Sequence, residues 1–213
     1  MKTLNEQLSA LVAENKSKIP EEIVKVMQAA DLDLAGTGID KNIVGVGEKF
    51  PEITLPDATG KQVNIQELLE KGPVVISFYR GGWCPYCNLE LRELQKFIPE
   101  FEKLNATLVA ISPETPDNSL DTKQRNELTF PVLSDKGNVL SKQLKLTFNL
   151  KNEIIDIYNN FGLDVEKFNG DTNFELPLPA TYVVGTDGLI KFAQASTNYT
   201  QRTEPQDILD ILK

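Results

Sequence analysis

The two cysteines of this 213-residue chain, Cys84 and Cys87, stand three positions apart in the segment Trp-Cys-Pro-Tyr-Cys at 83–87. Two cysteines in the first turn of a helix lie close enough to form a small disulfide ring, and the helix N-terminus stabilises a thiolate through unpaired amide donors and a positive partial charge. Such motifs lower the pKa of a thiol from about 8.5 to about 3.5–7.5. The spacing therefore predicts a redox-active pair; two cysteines that merely pack as small hydrophobes are the alternative.

The flanking sequence predicts the strand and the helix that would position this pair. A run of β-branched and aromatic residues at 74–79 follows Gly72-Pro73 and predicts a buried strand, after which Gly81-Gly82 turn the chain. Pro85 fits the first helical position, where a missing N–H does no harm, and apolar residues recur at helical spacing up to Phe101. We expect Pro99 to kink that helix.

The residues around the cysteines allow more than one interpretation. We expect Trp83 to pack against the sheet rather than to contact substrate, and Tyr86 to be an exposed spacer. Glu90 is either a solvated acid stabilised by the helix dipole or a catalytic group. Histidine is absent, so the commonest general base and metal ligand is missing, and we expect neither a metal nor another cofactor.

Composition favours a soluble enzyme that binds neither nucleic acid nor membrane. The chain has 22 basic and 31 acidic residues, and its net charge of -9 repels phosphate backbones and anionic lipid. No segment approaches the length of a membrane span, and polar residues interrupt the N-terminus. Two cysteines this close cannot form a long-range structural disulfide, which fits a reducing compartment. We therefore expect a cytoplasmic protein.

The apolar pattern divides the chain into two predicted parts. Residues 1–45 show helical spacing in two stretches, with Pro20 placed to open the second helix, and we interpret them as an N-terminal helical extension. Residues 46–213 form the predicted main domain. The glycines near 45–47 do not complete a dinucleotide-binding fingerprint, because Phe50 stands where the last glycine would be.

The main domain is predicted to alternate strands and helices. We expect a hairpin from 53–55 and 62–64, a strand at 107–112, a helix from Pro116 to about Leu128, a strand at 130–134, a hairpin from 181–185 and 190–195, and a last helix after Glu204-Pro205. For residues 145–176 we predict a helix plus loop.

This order of elements resembles the thioredoxin fold in its peroxiredoxin form, the alkyl hydroperoxide reductase and thiol-specific antioxidant family, from about Val46 to Lys213. The segments that carry the resemblance are Gly47–Pro51, Leu55–Lys61, Phe78-Tyr79, Phe130–Asp135 and Ala180–Val184. The resemblance implies an α/β fold with a central mixed sheet flanked by helices, and a thiol-dependent peroxidase.

Two registers of the motif assign the cysteines differently. Set against the family's Pro-x-x-x-Thr-x-x-Cys, with a Glu three residues on, Cys87 takes the peroxidatic position and Glu90 matches the Glu. Cys84 then stands where Thr would be, and Arg80 where Pro would be. The segment Trp83 to Cys87 also resembles thioredoxin and glutaredoxin motifs, in which the first cysteine, here Cys84, attacks and the second resolves.

The resemblance also predicts supporting residues. The family's later Arg is expected before an Ala-Thr pair, but here Pro179 stands ahead of Ala180-Thr181. Thioredoxins place a cis-proline directly before Thr, so the peptide bond before Pro179 is a candidate cis bond. Thr181 is expected to have a structural role. Fast attack on a peroxide requires donors for the developing charge on the leaving oxygen. Of the arginines at 80, 92, 125 and 202, we expect Arg80, four residues before Cys84, to lie near the sulfur.

Three functions follow from these features. In a peroxidase, one thiolate, Cys87 by the family register, attacks hydrogen peroxide or an organic hydroperoxide, and the pair closes to an internal disulfide. An external thiol such as thioredoxin, glutaredoxin or glutathione then reopens it. In a disulfide reductase, Cys84 attacks a substrate disulfide. In a redox sensor, the disulfide switches an interface formed by the N-terminal helices. Those helices could dimerise, cap the sheet or gate the site, so a homodimer is one possible assembly.

Overall fold

A computed structural model of the protein describes residues 2–213, and its core is a mixed β-sheet flanked by helices. The strands are β1 Thr54–Pro56, β2 Gln62–Asn64, β3 Val74–Phe78, β4 Thr107–Ser112, β5 Val132–Ser134, β6 Thr147–Asn149, β7 Glu175–Pro177, β8 Ala180–Val184 and β9 Ile190–Ala195. The helices are α1 Leu4–Lys16, α2 Glu21–Gly36, α3 Ile65–Leu69, α4 Pro85–Lys96, α5 Ile98–Lys103, α6 Pro116–Arg125, α7 Val139–Gln143, α8 Asn152–Asn160, α9 Val165–Asn169 and α10 Pro205–Leu212, with a short 3-10 helix at Ile39–Lys41.

The central strand of the sheet delivers the chain to the cysteines. In the order β5-β4-β3-β8-β9, strand β3 pairs parallel with β4 and antiparallel with β8. All five residues of β3 are buried, as its apolar sequence predicts for a strand covered on both faces. The C-terminal end of β3, where Phe78 lies opposite Ala180, therefore leads directly into the Gly81-Gly82 turn.

The two faces of the sheet bury separate apolar clusters, because successive side chains of a strand point to opposite sides. Ile76 and Phe78 face one cluster, together with Tyr182. Val75 faces the other, which also holds Cys84 and Cys87. The cysteines therefore lie in the layer formed by α4 and α10 on one side of the sheet.

Most predicted elements are confirmed, and one region is not. The helix after the cysteines is broken as Pro99 predicts, since α4 ends at Lys96 and α5 begins at Ile98. The prediction of only a helix plus loop for 145–176 is wrong, because β6 and β7 form an antiparallel ladder that encloses α8 and α9. Each of these strands has three residues, too few to show an alternating pattern, and their partners are far apart in sequence.

The two predicted N-terminal helices are present and pack on the sheet domain. Thr3 and Glu6 form a reciprocal capping box at the start of α1, whose buried residues are Leu4 and Leu8. Helix α1 contacts α4, and α2 contacts α8. Within residues 2–213, none of the helices combines the length and apolar character needed to cross a membrane.

Candidate active site

The cysteine pair lies at the N-terminus of α4, as the sequence predicts. Cys84 is the N-cap residue, with an extended backbone (φ -87°, ψ 114°), and Pro85 opens the helix. Both cysteines are free thiols, and their exposed fractions are 2% for Cys84 and 0% for Cys87. This arrangement places both sulfurs at the positive end of the helix and inside the protein.

A cavity of about 610 Å³ opens onto Cys84. Its lining includes Arg80, Trp83 and Tyr86 from around the cysteine turn, together with residues of both N-terminal helices, among them Val12 and Met27. A neighbouring cavity of about 340 Å³ shares Arg80, Met27, Asp31, Tyr158 and Tyr199 with the first. In the described chain Cys87 lines neither cavity, so Cys84 is the sulfur that a small molecule in the cavity would meet.

Cys87 instead contacts an arginine that the sequence analysis did not select. Arg202 donates from Nη2 to Cys87 Sγ at 3.3 Å and from Nε to the Glu90 carboxylate. Its Nη1 donates to the main-chain carbonyls of Tyr199 at 2.8 Å and Gln201 at 2.7 Å. Four hydrogen bonds therefore hold the guanidinium against the thiol.

Glu90 is buried rather than solvated, so its interpretation as a solvated surface acid is wrong. The side chains of Glu90 and Arg202 are each 2% exposed, and Ser77 Oγ also donates to Glu90 at 3.3 Å. Burial raises the pKa of Glu90 to about 7, against the lowering effect of Arg202. Burying an ion pair costs hydration energy, and this cost is offset only where the two charges are well aligned. Arg202 is the charged group that Glu90 contacts, so it determines the position and the charge of Glu90.

Arg80 lines the cavity beside Cys84 and is held by aromatic rings. It is 3% exposed and donates from Nη2 to the Tyr158 hydroxyl. Its guanidinium carbon lies 4.6 Å from the centroid of the Tyr199 ring and 5.0 Å from that of Trp83, within the range of cation–π attraction. Arg80 therefore shares a cavity wall with Cys84 and its charge lowers the pKa of that thiol, but the arginine that hydrogen-bonds a cysteine sulfur is Arg202.

The two thiols have opposite electrostatic tendencies. Burial raises the pKa of Cys84, but a hydrogen bond from Cys87 and the charges of Arg80 and Arg202 outweigh it and lower that pKa to about 6. Burial raises the pKa of Cys87, and the hydrogen bond to Cys84 and the charge of Cys84 raise it further, while the arginines oppose this. These influences favour the thiolate form at Cys84 and the neutral thiol at Cys87.

A second buried carboxyl group, Glu114, fixes the turn before the cysteines. It accepts hydrogen bonds from the Gly82 N–H at 2.9 Å, Thr122 Oγ1 at 3.3 Å and the Tyr79 hydroxyl at 3.4 Å. A Cβ on Gly82 would lie 1.8 Å from Thr122 Oγ1, so this position requires glycine. Burial raises the pKa of Glu114 to about 7. Glu114 could not be selected from the sequence, because a single glutamate after a strand carries no distinguishing pattern.

The remaining predicted residues have structural contacts. Trp83 is half-buried, with its ring centroid 5.6 Å from that of Tyr158. Tyr86 is half-buried rather than exposed, and its hydroxyl accepts from Asn15 Nδ2 at 3.4 Å. Thr181 is buried in β8 opposite Ser77. No peptide bond in residues 2–213 is cis, so the candidate cis bond at Pro179 is wrong.

The thioredoxin-like fold and the buried cysteine pair at a helix N-terminus define a thiol-dependent oxidoreductase, and comparison with known proteins gives the family. The model of the AhpC/TSA family matches residues 46–193, so the chain belongs to that family, the peroxiredoxins. A putative peroxiredoxin of Mycobacterium tuberculosis is 27% identical over 154 residues, covering 72% of this chain and 87% of its own. The chloroplastic peroxiredoxin Q of Populus jackii is 24% identical over 191 residues, covering 88% and 76%.

Solved structures show the same fold. The crystal structure of the peroxidoxin BcpB from Mycobacterium tuberculosis superposes with a TM-score of 0.63 at 21% identity, covering 79% of this chain and 96% of that one. A mutant of peroxiredoxin Q from Xylella fastidiosa gives a TM-score of 0.62 at 16% identity, covering 78% and 94%. The predicted thioredoxin-like, peroxiredoxin-type fold is confirmed.

Proposed function

We propose that this protein reduces peroxides with Cys84 as the attacking thiolate and Cys87 as the resolving thiol. The observation that carries the proposal is that Cys84 both lines the 610 Å³ cavity and has the lowered pKa, about 6. At pH 7 a thiol of that pKa is about nine-tenths ionised, roughly 30-fold more than a free cysteine. The family register, which places Cys87 at the peroxidatic position, is the alternative.

The proposed reaction is a two-electron oxidation of the cysteine pair. The Cys84 thiolate attacks one peroxide oxygen, the O–O bond breaks, and the second oxygen leaves as hydroxide or alkoxide and takes up a proton. The Cys87 sulfur, once deprotonated, attacks the resulting sulfenic acid, so that an S–S bond forms and water leaves. An external thiol then reduces the disulfide. Glu90 is linked to Cys87 through Arg202, which hydrogen-bonds both groups, so we assign the proton exchange during this cycle to the Glu90 carboxyl group, whose pKa is about 7.

In this proposal Arg80 stabilises the anion that leaves the peroxide. It is a buried cation on the wall of the cavity that Cys84 lines, and its Nε has no hydrogen-bond partner within residues 2–213. A positioned charge is worth far more in a water-poor site than in solution. We expect Arg80→Met to slow oxidation by peroxide about 10²-fold, as measured by stopped-flow fluorescence. Arg125→Met, which removes an exposed guanidinium, is the matched control. Full peroxide reactivity in Arg80→Met would exclude this role.

The test of the peroxidase uses Trp83, the single tryptophan, which adjoins Cys84. Reduced protein is mixed with hydrogen peroxide and, separately, with an organic hydroperoxide, and the fluorescence change is followed. We expect oxidation at least about 10²-fold faster than that of a free thiol of equal pKa, because thiolate formation alone does not supply the donors. Intact mass should show the loss of two hydrogens. A rate equal to that of the free thiol would contradict the proposal.

A disulfide reductase is the second candidate, and the position of Cys84 favours it. Cys84 is the N-cap residue and the cavity-lining sulfur, as the thioredoxin-like register requires of an attacking cysteine. The thiol-disulfide oxidoreductase ResA of Halalkalibacterium halodurans is 28% identical over 99 residues, 46% of this chain. The same stopped-flow fluorescence experiment tests this function with a disulfide substrate. Rapid oxidation of the protein by the disulfide, with slow oxidation by peroxide, would identify a disulfide reductase.

The reductant and the cellular compartment that we propose follow from the need to reduce the disulfide after each cycle. A thiol reductant such as thioredoxin, glutaredoxin or glutathione is available in the cytoplasm, where we place the protein. Residues 1–45 are proposed as a helical extension of the 46–213 domain, and a homodimer remains a proposal for its assembly.

A further inference from the structure

The main chain of Arg202 is held by the first turn of the N-terminal helix. Asn5 Oδ1 accepts from the Arg202 N–H at 3.1 Å, and Asn5 Nδ2 donates to the Arg202 carbonyl at 2.8 Å. One side-chain amide therefore satisfies both polar groups of the arginine backbone. The arginine lies between β9 and α10, in a segment with no regular secondary structure to fix it.

Glu204 adds hydrogen bonds in the opposite direction, from the first turn of α1 to the 202–204 segment. Its carboxylate accepts from the main-chain N–H groups of Leu4 at 2.9 Å and Asn5 at 2.8 Å, and from Asn5 Nδ2 at 2.8 Å. A negative charge at a helix N-terminus is favourable, and these N–H groups would otherwise lack helical partners. The first turn of α1 and the 202–204 segment thus form one hydrogen-bonded unit.

This unit lies next to the cysteine pair but outside the part of the chain that matches the family. The family model ends at residue 193 and begins at residue 46, so it includes neither Arg202 nor Asn5. Yet Arg202 Nη2 is the donor to Cys87 Sγ at 3.3 Å. A displacement of about 1 Å would break that contact, and misplacements of this size can cost about 10²-fold in rate.

We propose that Asn5 is a positioning residue for the cysteine pair. Its two hydrogen bonds to the main chain of Arg202 keep the guanidinium in contact with Cys87. The N-terminal helix therefore contributes to the redox site. The inference rests on the proposed redox role of Cys87, and holds whether the substrate is a peroxide or a disulfide.

The experiment is an equilibrium titration of Cys87, followed by the ultraviolet absorbance of the thiolate, in full-length protein that carries Cys84→Ser. We expect Asn5→Ala to decrease the ionisation constant of Cys87 about tenfold, because the main chain of Arg202 is no longer fixed and the contact of its guanidinium with the sulfur weakens. In an Arg202→Met background, the same substitution should change it by less than about twofold, since two residues that act through one contact are not additive.

Gln7→Ala is the matched control, because it removes an amide on the same helix whose side chain donates to Lys2 and not to the 202–204 segment. Equal effects of Asn5→Ala in both backgrounds, or no effect in either, would overturn the inference. Circular dichroism establishes that each variant is folded; if Asn5→Ala is not, Asn5→Gln displaces the amide by one methylene and should shift the titration in the same direction. The titration uses no peroxide, so it can succeed even if the peroxidase test fails.

Discussion

Replacing Cys84 by serine is expected to lower the rate of reaction with peroxide at least about a thousandfold, while Cys87→Ser keeps that rate within about tenfold of the native protein. The reason is that Cys84 lines the cavity and has a lowered pKa, whereas Cys87 is fully buried and hydrogen-bonded to Arg202. Stopped-flow fluorescence of Trp83 measures both rates. Cys87→Ser should accumulate a sulfenic acid that a dimedone-type reagent traps, because the resolving thiol is missing.

The pH dependence of the first step provides an independent check. The thiolate is the reactive form and the pKa of Cys84 is about 6, so the rate should rise with pH through about 6 and be level above it. If Cys87 were the nucleophile, the rate would continue to rise into the alkaline range, because burial raises the pKa of that thiol. Loss of the fast reaction in Cys87→Ser, with retention in Cys84→Ser, would establish the family register instead.

The elements that carry the cysteines could be predicted because their signals are local. The apolar strand β3, the glycine turn and Pro85 at the first helical position all follow from one continuous stretch of the chain, residues 74–85. The break at Pro99 has the same origin, since a proline removes a backbone donor wherever it stands. The short ladder of β6 and β7 depends instead on main-chain partners 26 to 30 residues apart, which no local period records.

The electrostatics of the site could not be predicted for the same reason. Arg202 contacts Glu90, from which it is separated by 112 positions in the sequence, and Cys87, from which it is separated by 115. Nothing in the sequence near these residues therefore indicates the contacts. The sequence allows both a solvated and a catalytic interpretation of Glu90, because its burial depends on that distant arginine. The family resemblance predicts an arginine before Ala180-Thr181, whereas the arginine that contacts the sulfur comes from the segment that follows β9.

Substitution of Arg202 is the other change with a large expected effect. Arg202→Met removes the donor to Cys87 and the charge that favours its thiolate, so disulfide formation after the first oxidation should slow about 10²–10³-fold. The attack of Cys84 should slow far less, because Arg202 is one of several groups that lower the pKa of Cys84. A fluorescence trace with a nearly native first phase and a delayed second phase is the expected result. Arg92→Met, which removes an exposed arginine from the same helix as Cys87, is the control.

The same substitution also leaves Glu90 buried without its partner, and this effect must be separated from the effect on rate. Breaking a buried ion pair costs about 3–5 kcal/mol of stability, which denaturant unfolding will measure. Adding Glu90→Gln removes the carboxyl group that must otherwise stay ionised or take up a proton in the interior, so the double variant should regain much of that stability. It should not regain the rate of disulfide formation, because the guanidinium on Cys87 is still missing. Recovery of the rate together with the stability would mean that Arg202 supports the fold rather than the thiol, and would remove it from the mechanism.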